Sequence, residues 1–139
     1  MSEHEISGER LEELSKRESL LGFKRENLVL YARLEDRYGE GRIWATQNKR
    51  TEELLAVRAP DPGPWKHTIN KIVRKEGKPA STMEQCVRQC LIAPCDADLN
   101  LNTARVDEIL ERNGAVVVKL FDILETLGQG EFDFDTPGN

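Results

Sequence analysis

Apolar positions recur along this chain at two spacings, and glycine and proline mark where one gives way to the other. Ser7 can cap a first helix carrying Leu11 and Leu14, with Glu9 near its start and Lys16-Arg17 near its end, a charge order that suits the helix dipole. So few apolar residues bury little, so this helix is expected to be loosely held or to await a partner. After Gly22, the stretch 25–38 reads as a stronger helix. Leu30, Leu34 and Tyr38 fall at i, i+4 and i+8, and Leu28 and Tyr31 widen the stripe. Gly39 and Gly41 stop it. Two short runs, 42–47 and 54–58, then read as strands of a β-hairpin joined by the polar Asn48-Lys49-Arg50-Thr51. Pro60, Pro62 and Pro64 are expected to end the second strand and force an extended connection, and Pro64 can occupy or adjoin the first turn of the next helix.

Helical spacing resumes at Trp65, with Ile69, Ile72 and Val73 on one face and Gly77 and Pro79 as the stop. Ser81-Thr82-Met83-Glu84 has the form of a capping box, Ser81 capping and Glu84 reaching back. Behind it Met83, Cys86, Val87, Cys90 and Leu91 repeat at helical spacing until Pro94. Asn102 or Thr103 opens a helix bearing Val106, Ile109 and Leu110, and Asn113-Gly114 ends it. A last helix presents Val117, Leu120, Phe121, Leu124 and Leu127 before Gly128. The pattern predicts an α+β protein, a small β-hairpin packed against a bundle of four to five short helices with loose N- and C-terminal ends. Residues 1–23 read as a charged helical extension, 24–128 as a single domain and 129–139 as an acidic flexible tail.

Charge narrows the function. With 25 acidic and 20 basic residues the formal net charge is −5, whereas a nucleic-acid binder neutralises phosphates with clustered Lys and Arg. Lys71, Arg74 and Lys75 on one helix, and Lys49-Arg50 at a turn, read as solvated faces. Nucleic acid is therefore not an expected partner. No apolar run approaches the roughly 20 residues that span a bilayer, and the acidic opening Met-Ser-Glu-His-Glu-Ile is unlike a secretory signal. No membrane association is expected. A cytoplasmic location is, with the three cysteines as free thiols.

Candidate chemistry is sparse. Cys86, Cys90 and Cys95 follow a CxxxCxxxxC spacing without the CxxC pairs that structural zinc sites use, and the first two share the apolar face of a helix. Cys95 has no basic sequence neighbour to lower its pKa. It reads as a plausible exposed thiol. The only histidines are His4, near the chain start, and His67, beside Lys66 on a helix surface. Asp96 and Asp98 are followed by Leu99 and Leu101 where a calcium loop needs oxygen donors and glycine. No phosphate loop, nucleophile elbow or zinc-protease motif is present. No catalytic residue, metal site or cofactor is expected, and the chain reads as a non-enzymatic protein-binding protein. Its candidate partner-binding residues are Leu11, Leu14, Trp65, Phe132 and Phe134, apolar groups near loose ends or, for Trp65, after three prolines. The register of Trp65 with Ile69 equally makes it a core anchor, and favours that role.

The order of elements carries one resemblance. From Tyr31 the chain runs through Leu-Glu-Asp-Arg-Tyr-Gly, a hairpin ending Val57-Arg58-Ala59-Pro60, a helix, then Glu84-Gln85-Cys86-Val87-Arg88-Gln89-Cys90-Leu91-Ile92-Ala93-Pro94 and two short helices ending at Gly128. This pattern resembles the small tail assembly chaperones and related virion-assembly proteins of long-tailed bacteriophages, over about two-thirds of the chain. The resemblance implies a non-enzymatic protein of the host cell cytoplasm that binds the tape measure protein, the tail tube protein or both during assembly, with homo-oligomers possible. It implies no catalytic residues. The alternative is an acidic regulatory module or inhibitor that docks on a host protein in a salt-sensitive way.

Overall fold

The computed structural model describes residues 6–77 and 79–128. Helix α1 (Gly8–Lys16) is capped as expected, the Ser7 hydroxyl oxygen accepting from the Arg10 amide at 3.2 Å. It is not loosely held. Leu11 and Leu14 are only 4% and 1% exposed, because α1 folds back onto α2 (Arg25–Tyr38) and a 3₁₀ turn at Glu18–Leu20 buries Leu20 beside them. Charge fixes this arrangement. The Glu35 carboxylate, 7% exposed on α2, accepts from Arg10 at 3.1 Å and from Arg17 at 2.9 Å, one arginine from α1 and one from just beyond it. Arg10 also donates to the Ala32 carbonyl at 3.1 Å. A carboxylate taken out of water needs such partners, so it locks the first part of the chain in place. Within the segment 1–23, expected to be a charged helical extension, Leu11, Leu14 and Leu20 thus join the same core as α2.

Strands β1 (Ile43–Gln47) and β2 (Leu54–Arg58) form the expected antiparallel hairpin, in register from Ile43↔Arg58 to Gln47↔Leu54. The Asn48 side-chain oxygen accepts from the Arg50 and Thr51 amides at 2.8 and 3.0 Å and shapes the turn. A third strand joins them. Residues Leu91–Ala93, expected to prolong a helix, leave it and pair with β2 as β3, giving a sheet of order β1-β2-β3. Pro94 accounts for the change, since a residue before proline is pushed out of the α region. All three β3 residues are buried.

Of the prolines near residue 60, Pro64 stands in the first turn of the next helix as expected, while Pro62, expected in the extended connection, joins it there. Helix α3 (Pro62–Val73) begins at Pro62, so Pro62 and Pro64 lie within its first turn, where missing amide hydrogens cost nothing. Helix α4 (Pro79–Cys90) likewise starts at a proline, two residues before Ser81. Ser81 is therefore inside the helix, and the expected capping box does not form. Helix α5 (Thr103–Arg112) is capped by Asn102, whose side-chain oxygen accepts from the Arg105 amide at 3.1 Å, and α6 (Gly114–Gly128) follows directly.

The sheet separates two cores. Ile43, Ala45, Leu54 and Ala56 face α1 and α2, while Val57 and Leu91, with the half-buried Trp44 and Leu55, face Val87, Leu110, Phe121 and Leu124 of α4 to α6. Alternation along β1 and β2 sends successive side chains to opposite layers. The molecule is α+β, with helices on both faces of a small sheet. Among the described residues no helix is long and apolar enough to cross a membrane.

Candidate partner-binding surface

Of the five residues expected to contact a partner, the three that are described do not come together: Leu11 and Leu14 belong to one core and Trp65 packs on the other. Leu11 and Leu14 are core residues of the α1–α2 layer and cannot be offered to another protein without opening it. Phe132 and Phe134 lie outside the described residues. Trp65 remains. Its ring packs 5.4 Å from that of Phe121 at 37°, and its indole nitrogen lies 3.3 Å from where a Cβ on Gly128 would stand. It anchors the start of α3 to α6 while keeping part of its surface in solvent.

α3 is the least covered helix of the second layer. Only Thr68 is fully buried on it, and Trp65, Ile69 and Ile72 are half-covered against the core. Val73 at its end is 72% exposed. Between α3 and α4 runs a groove of about 290 Å³ rimmed by Pro64, His67, Lys71, Gln85 and Gln89, with Cys86 in its wall. Its rim is rich in hydrogen-bonding groups, which suits a peptide segment.

Another cleft, of about 460 Å³, lies between the start of α2, the hairpin turn and the loop 94–102. Its polar groups are committed to holding the fold. The Asn27 amide donates to the Gln47 side-chain oxygen at 2.6 Å and to the Glu52 carbonyl at 2.8 Å. Asp96 accepts from the Asp98 and Asn100 amides, each at 2.9 Å. Hydrogen bonds from Asn100 hold its carboxyl below the usual range. Cys95, expected to be exposed, is half-buried in this wall, and burial followed by the Asp96 charge pushes its thiol up. It therefore stands as a neutral thiol. Cys86 and Cys90 are buried as free thiols, and a hydrogen bond to Cys86 together with burial keeps Cys90 well above the ordinary thiol range. Among the described residues no group of three or more His, Cys, Asp or Glu side chains gathers as a metal site.

One cluster has no signature in the sequence. Arg37, Arg42 and Arg58 line a common cleft of about 230 Å³ with Tyr38, Ala59 and Asp61. They are separated by five and sixteen positions and lie on three elements or their ends, so no window along the chain reveals them. Comparisons with protein-family models, with curated proteins and with solved structures gave no match.

Proposed function

We propose that this chain is a non-enzymatic protein-binding module that serves as a tail assembly chaperone-like protein of a long-tailed bacteriophage, acting in the host cell cytoplasm on the tape measure protein, the tail tube protein or both. The observation that carries the binding role is the half-covered apolar side of α3, where Trp65, Ile69 and Ile72 are incompletely buried and Val73 points to solvent. Helices left half-covered beside a polar groove are natural seats for an amphipathic segment. The element order along the chain supports the assignment to tail assembly.

Co-expression decides the matter. The tagged full chain should retain a tape measure or tail tube protein through affinity purification. Val73→Glu, which places a charge on an exposed apolar site without entering the core, should cut the retained amount roughly tenfold, equivalent to about 1.4 kcal/mol. A chain that retains neither protein, or whose retention ignores Val73, sinks the proposal. Retention that vanishes in salt while ignoring Val73 would favour an acidic module docked on a basic host protein.

A further inference from the structure

Along α3 and the turn after it the charge of the chain reverses. Residues 66–77 hold four bases, Lys66, Lys71, Arg74 and Lys75, against the single acid Glu76, on a chain of formal net charge −5. None of these bases makes an ion pair with a described residue. His67 and Lys71 stand about one helical turn apart on the α3 rim of the groove described above, and Gln85 and Gln89 about one turn apart on its α4 rim. Thr68, Thr82 and Cys86 lie buried between the two rims. The side chains of His67, Lys71, Gln85 and Gln89 have no hydrogen-bond or ion-pair partner among the described residues. Nor does a described acid line the groove, since Glu84, beside Gln85 in the chain, is held by Arg88 at 3.1 Å.

We propose that this groove seats a short acidic segment of a protein partner, extended along the two rims, with a carboxylate paired to Lys71 and backbone groups bonded to His67, Gln85 and Gln89. The inference rests on the protein-binding reading above and names the chemistry of the partner segment. Spacing is the first reason. Side chains four residues apart on a helix are separated by about 6 Å along its axis. Alternate residues of an extended chain, which share one side, lie about 6.6 Å apart. A segment with acids at alternate positions therefore keeps step with the rims. Polar capacity is the second reason. Glutamine amides both donate and accept, which is what a peptide backbone requires. At about 290 Å³ the groove has room for the groups of a few residues. Charge is the third reason, and it favours protein over nucleic acid. A long polyanion laid on α3 would run on to the acidic remainder of the chain, whereas a short acidic segment stays within the reversed patch.

The test uses the full chain labelled with ¹⁵N and a synthetic peptide in which Glu alternates with Thr. The side-chain amide signals of Gln85 and Gln89 should move saturably as it is added in low salt. A peptide with Gln in place of each Glu should leave them still. Lys71→Gln should weaken binding about threefold to fivefold, the range for a partly exposed ion pair, while Lys71→Arg keeps it. Lys119→Gln, which removes the same charge from an exposed position of α6 outside the groove, should change nothing. Gln85 and Gln89 signals that stay fixed would overturn the proposal. So would equal weakening by Lys71→Gln and Lys119→Gln, which marks a diffuse charge effect. Tighter binding of oligothymidylate through Lys71 marks a nucleic-acid surface and would overturn it too. A groove that binds the Glu peptide on a chain that retains no tail protein sinks the tail assignment alone. A silent groove on a chain whose retention depends on Val73 sinks this inference alone.

Discussion

At the scale of single residues, burial decides what each polar or reactive group can do. Glu35 is a buried acid shared by two arginines that are about one-third exposed. Glu35→Gln should destabilise the fold by about 1–3 kcal/mol, below the figure for breaking a fully buried pair because both arginines can still reach water. Chemical denaturation measures it, and an unchanged midpoint would show that the clamp contributes nothing. The thiols should separate by exposure. With an alkylating reagent at pH 8, Cys95 should react first yet more slowly than in the unfolded chain, while Cys86 and Cys90 stay unmodified until the second core opens. Asp96 supplies a pH dependence with a definite sign. Its folded pKa is depressed, chiefly by hydrogen bonding from Asn100. The support it gives its loop is therefore present above the unfolded carboxyl pKa and lost as pH falls through the folded one. Carboxyl carbon titration by NMR should place its midpoint below that of a peptide spanning the same residues. The sequence offered Asp96 only as an acid of a calcium-like run that lacks the needed donors, because the loop that closes on it is a three-dimensional object.

Elements show which local signals were strong enough to survive packing. The helix over 25–38, both hairpin strands, and the Ser7 and Asn102 caps follow from nearest neighbours and stand where the pattern puts them. Two other signals lost. The capping box at Ser81 gave way to Pro79, which starts the helix earlier and leaves Ser81 in its first turn. The opposed outcomes are measurable as a pair. Asn102→Ala should cost about 1 kcal/mol by orphaning the Arg105 amide, whereas Ser81→Ala should be neutral or slightly stabilising, since alanine is the better helix former. Equal losses from both would restore Ser81 as a cap. The run Leu91–Ala93 was the second miss. Its apolar residues fit a helix stripe equally well, and what draws them into β3 is the open edge of β2, which no local window contains.

For the whole molecule, the sheet with helices on both faces explains why α1 is integral to it. Leu14→Ala should cost about 2–5 kcal/mol, the range for truncating a buried leucine, and should shift one cooperative unfolding transition measured by heat or urea. A separate early transition would mean that α1 is a detachable extension after all. Periodicity, caps and breakers by themselves determined that this chain makes several short amphipathic helices and one hairpin, since those preferences act within a turn or two of the backbone. Only the tertiary structure decided that α1 closes over α2, that a third strand completes the sheet, and that Arg37, Arg42 and Arg58 share one cleft. Each of those depends on residues far apart in the chain meeting through burial or charge, and such meetings are set by the packing of whole layers, not by spacing along the sequence.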